Sequence, residues 1–139
     1  MELSDAMRRH LVDEIELDVK KMKETNDVGQ KVYFLSAVFG AAFRVLNIEF
    51  DPELVFIHNV TELVHRQLTQ RITQATQGQT APIFLPDNLF PALEGALLEL
   101  ASKIKADEQS HSVLERISNI GYGATGNGIY LYVKGDLKI

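Results

Sequence analysis

Two segments of the chain share a spacing that suits metal chemistry. Glu62-Leu63-Val64-His65 and Glu108-Gln109-Ser110-His111 both read E-x-x-H. On a helix, residues three apart project from the same side, so each segment offers a carboxylate beside an imidazole. Helical bundles that hold two iron or manganese ions join two such pairs with a glutamate from each of two other helices. Glu14 or Glu16 and Glu94 or Glu99 fill those two places here. Carboxylates would then bridge the ions and histidines would terminate them. Glutamate is abundant, at 11 of 139 residues, so the spacing also arises by chance. No apolar residue lies between Asp107 and Ser112 to bury the second pair. A di-metal centre of Glu14, Glu62, His65, Glu94, Glu108 and His111, holding Fe or Mn, is therefore the alternative reading. The primary expectation is that no cofactor is used and no catalytic residue is assigned.

Other chemistry is sparse. Gly121 to Gly126 reads G-x-G-x-x-G, but a dinucleotide loop needs a strand before it and a helix after it. The order expected here is the reverse, and glycines serving a hairpin explain the pattern better. No G-x-S-x-G, H-E-x-x-H or phosphate-loop motif is present. His10 and His58 have acids nearby in sequence and read as solvated pairs. Tyr130 and Tyr132 would share one face of a strand, where tyrosines can stack bases; a contact between subunits suits the acidic chain better.

Composition bounds the rest. Net charge is −5, with seven basic and nine acidic residues up to Phe50 and seven and ten after it. No basic block stands out beyond a local patch such as Arg8, Arg9 and His10, so nucleic-acid binding through clustered lysine and arginine is not expected. There is no cysteine, which excludes disulfides, thiolate metal sites and a cysteine nucleophile. MELSDAMRRH places charge before any apolar run, so no secretory leader is expected and a cytoplasmic location follows. A length of 139 residues fits a single domain over 1–139, a helical body over about 4–119 and a small unit over about 120–139.

The elements that must position these residues are mostly helical. Ser4 caps an amphipathic first helix running to about Glu24, with Leu3, Met7, Leu11, Ile15 and Met22 at helical spacing. Val28 to Leu46 forms a second helix whose only charges are Lys31 and Arg44. Apolarity on nearly every side predicts shielding around its whole circumference, by its own fold or by a second subunit. Gly40, Ala41 and Ala42 suggest close approach of another backbone. Asp51-Pro52-Glu53 starts a third helix, which fades into a polar loop from Thr73 to Pro82. Asp87 caps a fourth helix with a clean stripe through Leu89, Leu93, Leu97, Leu100 and Ile104, and Val113, Leu114 and Ile117 make a brief fifth. Asn127-Gly128 before Ile129-Tyr130-Leu131-Tyr132-Val133 predicts a type I′ turn and a small antiparallel β-hairpin.

The expected fold is thus mainly α, a bundle of four to five helices closed by a C-terminal β-hairpin. No membrane span is expected, because about 20 apolar residues are needed and the second helix has too few. The expected function is a non-enzymatic, self-associating interaction module. Its candidate contacts are Tyr33, Phe39, Gly40, Phe43, Tyr130 and Tyr132. A small-molecule site beneath the Thr73–Pro82 loop, with unknown ligand, is the second alternative.

Overall fold

The computed structural model describes residues 1–76 and 84–139. Six helices follow one another: α1 (Asp5–Lys23), α2 (Val28–Leu46), α3 (Pro52–Thr76), α4 (Leu89–Lys105), α5 (His111–Tyr122) and α6 (Gly126–Lys134). The first three starts have a local cause. The Ser4 hydroxyl accepts the Met7 amide at 3.3 Å, Asp27 accepts the Gln30 amide at 2.9 Å, and Asp51 accepts the Leu54 amide at 3.1 Å. These bonds satisfy amide groups that the first helical turn leaves open. Lys20, Lys21 and Lys23 sit in the last turn of α1, where the dipole favours positive charge. Asp107, at φ 54°, turns the chain out of α4.

The first five helices close a ring. α1 packs on α2, α2 on α3, α3 on α5, α5 on α4, and α4 back on α1. The core lies inside, built from Leu11, Ile15, Met22, Leu35, Leu54, Ile57, Leu68, Leu93, Leu97 and Ile117, all fully buried. Lys31 and Glu94 link α2 to α4 through an ion pair of 2.9 Å, and Lys31 also donates to the Met22 carbonyl at 2.6 Å. Its ammonium lies 5.6 Å from the Phe90 ring centre, a favourable cation–π placement. At one end of the ring Glu49 accepts both the amide and hydroxyl of Ser4, at 2.8 and 2.7 Å. Glu53 does the same for Ser110, at 3.1 and 2.7 Å. Carboxylates of the α2–α3 connection and the start of α3 therefore fasten α1 and α5.

The predicted hairpin is not there. No strand occurs among the described residues, and Asn127 and Gly128 lie in the first turn of α6. A type I′ turn needs positive φ at both central residues. Among the described residues only Asp107 and Gly135 have positive φ. The Thr125 hydroxyl instead accepts the Gly128 amide at 3.1 Å and caps the helix. A side chain at position 128 would overlap the Tyr122 carbonyl, so this glycine permits the sharp corner between α5 and α6. A two-stranded unit has too little pairing to stand alone, whereas the capped turn is satisfied locally. The mainly helical expectation holds without the α+β addition.

Three smaller corrections follow. α3 continues to Thr76, so the start of the expected Thr73–Pro82 loop is helical, and 77–83 lie outside the described residues. α4 is preceded by Asn88 rather than by a capping Asp87, and the brief fifth helix expected about Val113, Leu114 and Ile117 runs over His111–Tyr122. Most important, α2 is not shielded on all sides within the chain. A helix in a ring of five touches two neighbours and the core, which leaves an outer face. No helix among the described residues is long and apolar enough to cross a membrane.

Candidate functional site

The outer face of α2 is the most distinctive surface of the ring. Val32, Leu35, Val38, Ala41, Ala42 and Val45 point inward and are buried. Gly29, Tyr33, Ser36, Gly40, Phe43 and Asn47 follow the helical repeat on the opposite side, with the exposed Arg44 one turn after Gly40. Tyr33 is 71% exposed and Phe43 55% exposed. Gly40 sits between them, and a β-carbon there would meet only the flexible end of Arg44, at 3.6 Å. Nothing inside the chain requires glycine at this position. Alanine would favour the helix by about 1 kcal/mol.

Phe39 lies at the α3 edge of this face, between two imidazoles. Its ring centre is 6.0 Å from that of His58 and 5.2 Å from that of His65, both edge to face. Phe43 lies 6.0 Å from His58. The spacing of His58, Glu62 and His65 places them along one side of α3, so α3 lines α2 with imidazole and carboxylate. Arg66 holds Glu62 at 2.7 Å and keeps its carboxyl below the ordinary range. Burial holds the His65 pKa down, opposed by the charge of Glu62. His65 is thereby kept neutral to lower pH than a free imidazole, which suits an edge packed on phenylalanine.

On the other flank, α1 carries a buried acid. Asp18 is 5% exposed, and its Oδ2 has no hydrogen-bond partner among the described residues. Burial pushes this carboxyl up to about 7, Glu14 adds to the rise, and Arg44 offsets part of it. Arg44 also pairs with Glu14 at 3.2 Å. Asp18 stands three residues after Ile15 and four before Met22, within the apolar stripe of α1, a position legible from helical spacing. The place of His58 beside α2 is not, since adjacency between helices is not written in either one.

Of the six residues named as contacts, Tyr33, Gly40 and Phe43 share the outer face of α2, with Phe39 beside it. Tyr130 and Tyr132 are on α6, where a separation of two residues turns them to different sides. Tyr130 is 64% exposed and Tyr132 is half-buried. The flat two-tyrosine face of a strand is therefore absent.

The metal residues are dispersed. Glu14 pairs with Arg44, Glu62 with Arg66, Glu94 with Lys31, and Glu108 with Lys103 at 3.0 Å. Glu108 precedes α5 while His111 begins it, so the second E-x-x-H pair does not lie on one helical face. His111 stands 6.2 Å from the Phe56 ring. Among the described residues no three histidines or acids form a group able to hold a metal ion. G-x-G-x-x-G spans the corner between α5 and α6, with no strand before it. Of the small-molecule site expected beneath Thr73–Pro82, residues 77–83 lie outside the described residues. The described surface nearby is an open groove of about 540 Å³ on α3, beside Glu62, His65 and Arg66. Comparisons with protein-family models, with curated proteins and with solved structures return no match for this chain.

Proposed function

We propose that this chain is a self-associating interaction module whose contact surface is the outer face of α2. The observation that carries this reading is Gly40. It lies mid-helix between two exposed aromatic residues, at a position where the chain's own packing leaves a side chain room. A glycine that costs helix stability without serving the fold is accounted for by a partner that approaches the backbone closely. A strip without acidic residues, flanked by the exposed Arg44, also suits a second copy, because two chains of net charge −5 repel wherever their acidic surfaces meet. The chain has no cysteine, which fits a reducing compartment. The reading requires no cofactor.

Sedimentation and light scattering of the purified chain test it. The wild type should associate at micromolar concentration. Gly40→Glu, which adds charge where the fold has space, should remain monomeric with a helical spectrum unchanged. A wild type that stays monomeric over that range would overturn the reading.

A further inference from the structure

The seam between α1 and α2 holds a carboxyl that the fold leaves unmet and a cation one turn away from it. Asp18 is 5% exposed, and its Oδ2 has no hydrogen-bond partner among the described residues. The two helices run antiparallel in a fixed register, with Glu2 joined to Asp51 at 2.7 Å, Ser4 to Glu49 at 2.8 Å and Lys31 to Met22 at 2.6 Å. Arg44 reaches Glu14 across that seam at 3.2 Å. Helical side chains lean toward the start of their own helix. Nη1 of Arg44 accordingly lies back over Gly40, 3.6 Å from where a β-carbon would stand. Because α1 runs the opposite way, that lean points from Glu14 toward Asp18, one turn further along α1.

The other charges near this carboxyl are exposed or already engaged. Lys21, one turn after it on α1, is exposed. α2 carries only Lys31 besides Arg44, and Lys31 is held by Glu94 and the Met22 carbonyl. On α4, the other helix packed on α1, Glu99 pairs with Arg116 and Lys103 with Glu108. Lys105 lines a cleft with Asp5 and Arg8, at the start of α1. Burial pushes the Asp18 carboxyl up to about 7, Glu14 adds to the rise and Arg44 opposes it.

Magnitudes decide where Arg44 belongs. Its side chain is 56% exposed, and so open an ion pair contributes little because water and salt screen it. A bare carboxylate inside the fold is far costlier, and a hydrogen-bonded cation removes much of that cost. While Asp18 holds its proton, Arg44 gains nothing by leaving Glu14. Once the proton has gone to solvent, Asp18 is the better partner. We propose that the α1–α2 seam is a proton-operated switch, in which Arg44 pairs with Glu14 while Asp18 is neutral and moves to Asp18 when it ionises. A proton lost inside the seam then uncovers a negative charge, Glu14, at its rim. The switch does not depend on self-association.

Nuclear magnetic resonance of the full chain between pH 4 and 9 tests it. The Asp18 carboxyl carbon should titrate well above its ordinary 3.8 and no higher than about 7. The Nε–H signal of Arg44 should shift with that same midpoint, and in Asp18→Asn it should hold still over this range. Arg44→Gln should raise the Asp18 midpoint by about one pH unit, the effect of removing a nearby opposite charge. Titration of Asp18 in the ordinary carboxylate range would overturn the proposal. So would an Arg44 signal that stays constant while Asp18 titrates, or one whose shift persists in Asp18→Asn. An Asp18 midpoint that Arg44→Gln leaves in place would overturn it as well. Arg44 is exposed, so this last variant keeps the test open even where Asp18→Asn fails to fold.

Discussion

The two faces of α2 are equally free of acidic residues and serve different ends. Inward, Val32, Leu35, Val38, Ala41, Ala42 and Val45 are aliphatic and buried against α1 and α3. Outward, Tyr33 and Phe43 are aromatic and exposed, and Gly40 has room around it. Branched aliphatic side chains fill a close-packed interior with little rotameric freedom. Aromatic residues with small neighbours are what a docking strip uses, since rings supply area at small entropic cost. Apolarity on nearly all sides of one helix thus has two parts: a core made by the chain, and an exposed face that the proposed self-association would cover.

Substitutions that separate the two faces should differ widely in effect. Leu35→Ala empties a fully buried site and should cost about 2–5 kcal/mol in urea unfolding. Tyr33→Ala, measured at dilution where only monomer is present, should change stability by less than about 0.5 kcal/mol. A comparable loss at Tyr33 would show that its ring belongs to the core and collapse the distinction.

Next in size is Lys31, which anchors the inner side of α2 to α4. Lys31→Met leaves Glu94 buried without its cation and should cost about 3 kcal/mol. The double substitution Lys31→Met with Glu94→Leu should recover most of that loss, because both charges leave together. If the double variant is as unstable as the single one, Lys31 stabilises α2 by packing rather than by charge.

An effect smaller than those at Leu35 and Lys31 should come at the seam between α1 and α2. Asp18 is raised from its ordinary 3.8 to about 7, so the folded chain keeps its proton where the unfolded chain has lost it. The stability this provides is complete below about pH 4 and disappears as pH rises through 7. Above that, the folded state carries a buried carboxylate, met at most by an Arg44 drawn from Glu14. Asp18→Asn should therefore stabilise the chain at pH 8 by about 1–3 kcal/mol, the cost of such a group. The advantage should shrink as pH falls toward 4. Denaturation midpoints of both proteins across that range supply the check, and a difference independent of pH would show that Asp18 does not titrate there.

Much of the fold was legible because its signals are local. Ser4 and Asp51 with Pro52 announced two helix starts, and the apolar spacing of α1 and α4 gave their inner faces. The C-terminal segment misled because Asn127-Gly128 followed by alternating residues is a local signal too, and Thr125 supplied a competing one. A hydroxyl capping a helix needs only three residues of chain, while a hairpin needs a second strand and a sheet to join. Of the surface features, Tyr33, Gly40 and Phe43 were named from their types. Their grouping on one face required only helical periodicity, but their exposure required knowing that the ring leaves α2 an outer side.

The sequence by itself determined about where the first four helices run and which side of α1 and α4 is apolar, because capping and periodicity act over a few residues. Only the tertiary structure decided that α2 is one stave of a closed ring rather than its centre. It alone paired Lys31 with Glu94 and Phe39 with His58 and His65, and kept the two E-x-x-H segments apart. Those outcomes depend on which helices become neighbours, and that is set by how all the apolar faces are buried at once.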